Sequence, residues 1–230
     1  MVQDWVFDKE IVNIFDDMVL RSVPFYQDMQ NIFIEIASKF YKPNTTIYDL
    51  GCSTGTTMLN ILNKINDKDI KIVGIDNSEA MLKKAEEKLK EVTNRYQLIN
   101  SDLNEDIKFD NASIVMLNWT LQFVRPMNRD FLIKNIYEAL SNGGVLVISE
   151  KVLAANSNLN RLYIDLYYAM KKDKGYTESE ILKKREELEN VLVPYQIEEN
   201  IELLKRNKFK NPDVFFKYMN FAGIIAVKED

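Results

Sequence analysis

Apolar positions along this chain fall into two alternating kinds of run. Short stretches rich in β-branched residues, near 46–50, 71–75, 96–100, 112–117 and 144–149, read as strands. Longer segments near 56–65, 79–93 and 129–140 place apolar residues at helical spacing. This alternation predicts βαβ units, and right-handed crossovers then put helices on both faces of a parallel sheet. Ahead of the first strand, helices are expected over Lys9–Leu20 and Tyr26–Tyr41, separated at Arg21-Ser22-Val23-Pro24 because Pro24 disfavours continued helix. Residues 1–43 are expected to form a helical lid over the crevice. After Glu150 come helices near 158–173, 177–192 and 197–207, then two strand-like runs, Val214–Asn220 and Ala222–Lys228, meeting at a tight corner. No Pro/Gly/Ser-rich linker interrupts the chain, so residues 1–230 read as one α/β domain.

The polar residues that end the apolar runs carry the first hint of chemistry. The first run opens into Asp49-Leu50-Gly51-Cys52-Ser53-Thr54-Gly55, and the others close on Asp76, Asp102, Asn118 and Glu150. In an open parallel sheet, ligands sit outside the carboxyl ends of the strands, so five polar side chains are expected around one crevice. Glycine lets backbone approach a ligand closely, and the helix after the loop presents free N–H groups. Asp76 is placed to accept hydrogen bonds from both hydroxyls of a ribose. The same loop could be only a tight turn, and Asp102 and Asn118 could be strand-end caps. Trp119 and Phe123 could wall a pocket, although core packing is the expectation. Cys52 has no histidine partner and reads as a small side chain whose backbone faces the ligand.

Composition narrows the chemistry. At 230 residues and 46% hydrophobic the chain can bury one sizeable core, and no stretch reaches the roughly 20 apolar residues of a membrane span. The start, Met1-Val2-Gln3-Asp4-Trp5, lacks the basic and apolar regions of a signal peptide, so a soluble, cytoplasmic protein is expected. One cysteine forbids an internal disulfide, and the lack of histidine makes a metal site improbable. Proton transfer near neutral pH must then fall to carboxylates, Tyr, Lys, water or the substrate. A net charge of −5 with a pI near 5.1 argues against a broad nucleic-acid surface. The basic stretch Lys205-Arg206-Asn207-Lys208-Phe209-Lys210 reads as cations gathered at a helix end.

Helix 177–192 is the most telling of the later segments. Thr177 and Glu180 form a capping box, and Arg185 falls on the same face as Ile181, Leu188 and Leu192. A guanidinium there is costly unless it meets an anion. The alternatives are an ion pair with Glu189 one turn away, or a stem that snorkels to water.

The loop D-x-G-x-S-x-G resembles the first motif of S-adenosylmethionine-dependent methyltransferases, with Ser53 where a glycine is common. That likeness implies a Rossmann-like fold with a mostly parallel seven-stranded sheet, helices on both faces and helical additions at each end. It also sets Asp102 toward an adenine amino group and Asn118 toward the methionine part.

More specifically, nearly the whole chain is similar to the carboxy-S-adenosylmethionine synthase family. The likeness rests on Arg21-Ser22-Val23-Pro24-Phe25-Tyr26, Tyr48-Asp49-Leu50-Gly51-Cys52-Ser53, Ile75-Asp76-Asn77-Ser78, Leu117-Asn118-Trp119-Thr120-Leu121-Gln122-Phe123, Ser149-Glu150-Lys151, Gly175-Tyr176 and Lys184-Arg185 through Leu188-Glu189-Asn190-Val191. The resemblance implies that S-adenosylmethionine, as substrate, and prephenate give carboxy-S-adenosylmethionine, phenylpyruvate and water, for modification of wobble uridine in transfer RNA. The sulfonium acidifies its methyl protons, and prephenate supplies carbon dioxide and a base.

By this similarity Tyr26, Gly51, Cys52, Ser53, Asp76, Asn77, Asp102, Leu103 and Asn118 contact S-adenosylmethionine. Arg185 arrives from the partner subunit of a homodimer, with residues 151–208 contributing to dimer and active site. Arg185 would hold the new carboxylate bidentately. Arg21 and Lys151 are the candidate cations for prephenate, and no direct nucleic-acid or membrane contact is expected. Pro194-Tyr195-Gln196-Ile197-Glu198-Glu199-Asn200 departs from the family's pattern, a Thr-Asp-Ser-like stretch ending in Glu-Thr-His. The competing readings are an ordinary methyltransferase acting on transfer RNA or a small molecule, and a non-catalytic cofactor-binding module.

Overall fold

The computed structural model describes residues 9–188 and 191–229. The first residues of the chain and Glu189, invoked above as a leader test and as an ion-pair partner, lie outside that range. The elements run α1 (Lys9–Ser22), α2 (Tyr26–Phe40), β1 (Thr46–Leu50), α3 (Thr56–Lys64), β2 (Lys71–Asp76), α4 (Glu79–Leu89), β3 (Tyr96–Asn100), β4 (Ala112–Asn118), α5 (Pro126–Ala139), β5 (Leu140–Lys151), α6 (Ser157–Asp173), α7 (Glu178–Leu188), α8 (Ile197–Arg206), β6 (Asp213–Tyr218) and β7 (Phe221–Val227). A short 3-10 turn, Leu121–Phe123, follows β4.

The strands form one seven-stranded sheet in the order β3-β2-β1-β4-β5-β7-β6. β1 pairs in parallel with both β2 and β4, whereas β7 runs antiparallel to β5 and to β6. The chain therefore winds outward from β1 in one direction and from β4 in the other. That reversal opens a crevice at their carboxyl ends.

Strand alternation divides the core. Tyr48, Leu50, Val115, Leu117, Leu146 and Ile148 pack on one face with Leu132, Ile133 and Ile136 of α5 and Leu203 and Leu204 of α8. Ile47, Ile72, Ile114, Met116, Val145 and Val147 pack on the other with α2, α3 and α4. The central strands β1, β2, β4 and β5 are thus buried on both sides along most of their length, which is why they read as continuous apolar runs, whereas the edge strands β3 and β6 are only partly covered.

Two expectations need correction. The covering segment is carried by α1 and the turn after it, up to Tyr26 at the start of α2. Beyond Tyr26, α2 is a core helix, because Met29, Phe33 and Ala37 share one face and are essentially unexposed against the sheet. Glu150 does not face the crevice. It has the parity of Leu146 and Ile148, so it points to the face covered by α5 and lies buried near Arg129. Its neighbour Lys151 takes the opposite direction. Among the described residues, no helix is long and apolar enough to cross a membrane.

Candidate active site

The loop after β1 is shaped by backbone that favours glycine. Gly51 and Gly55 have φ of 74° and 75°, and Ser53 adopts the left-handed region at 51°. At Gly51 a Cβ would collide with the Thr120 side chain, so this position is closed to any larger residue. The loop is pinned to β2 at two places: Gly51 N donates to the Ile75 carbonyl at 2.7 Å, and Ser53 N donates to Asp76 Oδ2 at 2.9 Å. The other Asp76 oxygen accepts from Ser78 N at 2.9 Å. Burial pushes the Asp76 carboxyl up, opposed by those backbone donors. Both oxygens retain lone pairs for a diol.

Around this loop lies a cavity of about 660 Å³. Tyr26, Gly51, Cys52, Ser53, Asp76, Asn77, Asp102, Leu103, Asn118, Arg21 and Lys151 all line it. Asp102 is a strand-end cap as well, since its Oδ1 accepts from both nitrogens of Asn104 at 2.9 and 2.8 Å. Asn118 accepts from the Ser149 hydroxyl at 2.6 Å, which orients its amide. Burial raises the Cys52 thiol well above its usual value, in keeping with a packing role. Trp119 and Phe123 both wall the cavity, and Trp119 also packs against the core as expected, edge-on to Phe221 at 5.7 Å.

Asp49 was legible in the loop motif but its chemistry was not. It is 1% exposed, neither carboxylate oxygen has a hydrogen-bond partner, and burial followed by repulsion from Asp76 pushes its pKa to about 7. A buried carboxyl with no partner at a cavity wall is a receptor for a cation. S-adenosylmethionine, with a sulfonium, an ammonium and a ribose diol, fits this half of the cavity.

The part of the lining contributed by β5, α6, α7 and the turn between those helices is cationic on balance: Lys151, Lys171, Lys183 and Lys184 stand there against Glu180 and Glu187, together with Tyr167 and Tyr176. Burial and then neighbouring Lys171 lower the Lys151 ammonium to about 8. Lys171 and Tyr167 were missed by sequence reasoning, and Tyr176 entered it only through the family likeness, because α6 and the Gly175-Tyr176 corner reach the crevice only through the tertiary fold. Arg21 is at the rim, paired with Asp17 at 2.7 Å and lying over the Tyr176 ring at 4.7 Å.

α1 closes the top with Ile14, Phe15, Met18 and Val19. It is tied down by Asp16, which accepts from Thr54 Oγ1 and from Lys88 Nζ at 2.6 Å each. Burial raises the Asp16 carboxyl, but these bonds outweigh it and the net shift is downward.

Arg185 is not among the lining residues. The capping box forms as expected, with Thr177 N and Oγ1 each 2.7 Å from Glu180 Oε2. α7 then buries Ile181 while Arg185 is exposed on the protomer surface, so the guanidinium does not share the packed face. Lys184, one position earlier, turns inward and pairs with Glu187 at 3.3 Å.

The divergent stretch 194–200 plays a packing role. Tyr195 lies under Arg129 at 4.1 Å, and Gln196 and Glu199 cap α8. Arg129 is itself buried, donating to the carbonyls of Val124 at 2.9 Å and Val193 at 2.6 Å. The basic stretch at the end of α8 is occupied too: Arg206 forks onto Asp130 at 2.6 and 2.7 Å.

Comparison with known proteins agrees with the fold. Residues 47–144 match the methyltransferase domain family model. A carboxy-S-adenosyl-L-methionine synthase of Methylococcus capsulatus is 47% identical over 99% of this chain and 95% of its own length. The chain belongs to the carboxy-S-adenosyl-L-methionine synthase family. A second member, from Nautilia profundicola, is 46% identical over 96% of this chain and 94% of its own.

Solved structures share the fold of this synthase family. An O-methyltransferase family protein from Burkholderia thailandensis aligns with TM-score 0.68 at 16% identity, over 97% of this chain and 61% of that one. A phosphoethanolamine N-methyltransferase of Haemonchus contortus, solved with S-adenosyl-L-methionine, aligns with TM-score 0.63 at 16% identity, over 87% and 53%. The synthase family is thus built on the fold of S-adenosylmethionine-dependent transferases, with a mostly parallel seven-stranded sheet.

Proposed function

We propose that this chain is a cytoplasmic carboxy-S-adenosyl-L-methionine synthase that uses prephenate as the source of carbon dioxide, its product serving wobble-uridine (cmo5U) modification of transfer RNA. The observation that carries the reading is the division of one cavity into an acidic half and a cationic half, in a chain with synthase relatives along its whole length. A methyl acceptor has no need of a lysine wall beside the nucleoside; a dicarboxylate does.

In this reading Asp76 takes the ribose hydroxyls and Asp102 and Leu103 face the adenine. Asp49 meets the positive end of S-adenosylmethionine, and Asn118 with Trp119 bounds the methionine part. Lys151 and its neighbours hold the dianion. Prephenate loses carbon dioxide and hydroxide to become phenylpyruvate. The hydroxide takes a proton from the sulfonium methyl group, leaving water, and that carbon forms the new bond to carbon dioxide. Charge balances, since a cation and a dianion give a zwitterion and a monoanion. The protein's part is to hold two opposite charges at contact under a closed roof and to exclude bulk water. No histidine is required.

A homodimer completes the site. Leu159, Leu162 and Leu166 are 45%, 48% and 45% exposed at i, i+3 and i+7 of α6, and Leu182 of α7 is 45% exposed. Covering this face would bring the exposed Arg185 into a partner's cavity, where its fork suits the new carboxylate.

Incubation with S-adenosylmethionine and prephenate, followed by mass spectrometry, tests the activity. A product heavier by one carboxyl group supports it, and methylated RNA or unchanged substrate overturns it. In the same assay Arg185→Lys is expected to cut product formation roughly tenfold or more, the loss of about one bidentate contact, with S-adenosylmethionine affinity unchanged. Equal yield removes Arg185 from the site.

A further inference from the structure

Lys171 is a lysine almost completely withdrawn from water, 6% exposed, with no ion pair among the described residues. Lysine is seldom buried without a counter-charge, and here the arrangement repeats: Lys151, lining the same cavity, has no ion pair among the described residues either. Both ammonium groups sit over one aromatic ring. Lys151 Nζ is 5.0 Å and Lys171 Nζ 5.6 Å from the Tyr167 centroid, and Lys171 is also 4.8 Å from that of Tyr176. Ring faces attract cations weakly and do not neutralise them.

The nearby acid, Glu180, is committed to capping α7 through Thr177 N and Oγ1, at 2.7 Å each. Lys184 on α7 adds further repulsion to Lys171. Arg21, the other candidate cation, already has Asp17 and contributes by packing on Tyr176. Two like charges held on one aromatic platform, facing a cavity, are unfavourable in the empty protein. A ligand with two negative groups relieves both at once.

We propose that Lys171 and Lys151, spaced by the Tyr167 ring, are the receptor for the two carboxylates of the second substrate. This rests on the reading that the site takes prephenate. It adds Lys171 as a substrate-binding residue, gives Tyr167 and Tyr176 the task of holding the ammonium groups apart, and makes the site selective for dianions over monoanions. A monocarboxylate such as phenylpyruvate satisfies one ammonium and leaves the other exposed to repulsion, so product departs more readily than substrate.

The test uses the full chain with Lys171→Met and Lys151→Met, which keep the stem length and remove the charge. Each is expected to raise the KM for prephenate at least tenfold while S-adenosylmethionine binds within twofold of wild type, which also shows that the variant is folded. Each should also erase the preference for prephenate over phenylpyruvate in calorimetric titrations performed with S-adenosylhomocysteine present. If both variants keep wild-type prephenate affinity, or lose affinity for S-adenosylmethionine by the same factor, the receptor is wrong. If wild type binds prephenate through these lysines but makes no carboxylated product, the functional reading fails and the receptor stands. If wild type does not bind prephenate, both fall.

Discussion

The two halves of the cavity are built by opposite strategies. The half proposed for the nucleoside comes from strand ends and the loops that follow them, so its groups are fixed by main chain: Asp76 is held by the amides of Ser53 and Ser78, and the loop is pinned to Ile75. The cationic half comes mainly from α6 and α7, and while Lys184 pairs with Glu187, Lys151 and Lys171 are held over aromatic rings. Strand ends give rigid geometry for a ligand shared by many transferases. Helical additions give charge, which is what distinguishes one second substrate from another.

The largest expected effect breaks the rigid half. Asp76→Asn removes the ionised acceptor for two hydroxyls, and at about 1.5–3 kcal/mol for a hydrogen bond to a charged group S-adenosylmethionine affinity should fall by about 100-fold. Calorimetry checks this; a loss smaller than about fivefold would mean that the ribose lies elsewhere.

Asp49→Asn should act on both stability and binding. The carboxyl sits at about 7 in the fold against roughly 3.9 unfolded, so between these values the native state binds more protons, and stability falls as pH rises through that window. The full penalty applies above pH 7. The substitution is therefore expected to raise the melting temperature of the ligand-free protein at pH 8, with little effect at pH 4, and to weaken S-adenosylmethionine binding about tenfold. Melting curves at the two pH values check the first part, and an unchanged or lowered melting temperature at pH 8 contradicts it.

The smallest effect sharpens the contrast without mutation. Lys151 at about 8 loses charge as pH rises, and the groups around it are Lys171 and Tyr167 of α6, with Glu180 and Lys184 of α7 beyond. The kcat/KM for prephenate should fall several-fold between pH 7.5 and 9, while S-adenosylmethionine affinity stays level there and weakens only below about pH 7, as Asp49 protonates. A parallel pH dependence for both substrates would deny that the halves are electrically separate.

The same division governs how much could be read from the sequence. β1 and β3 occupy the expected residues, and the acids at the ends of β2 and β3 line the cavity, because strand ends and the crevice are linked by topology alone. α5 begins at Pro126, earlier than its apolar spacing indicated; proline at the first helical position was the overlooked signal. β5 starts at Leu140 and passes Gly143-Gly144 with a register shift, which period-two reasoning cannot see. Glu150 was misplaced for want of counting parity from Ile148.

Lys171 had no local signal. Its position on an amphipathic helix says only that it lies near a packed face, and the cavity on that side is made by partners far apart in sequence. Arg185 shows the reverse: its helix face was misjudged, since Lys184 is the inward residue.

Gln122 touches both halves at once. Its side-chain Oε1 accepts the Lys151 amide at 2.9 Å, and its backbone carbonyl accepts from Val193 N at 2.9 Å, with Arg129 anchored to the same turn. A single residue in the turn after β4 thereby sets where the lysine strand ends and where the chain leaves α7. In the proposed function, the separation between the two reactants is then a property of the backbone, a fixed ruler that neither ligand can stretch. Replacing the lysines would change what is gripped, and only a change at this turn would change how far apart the two grips stand.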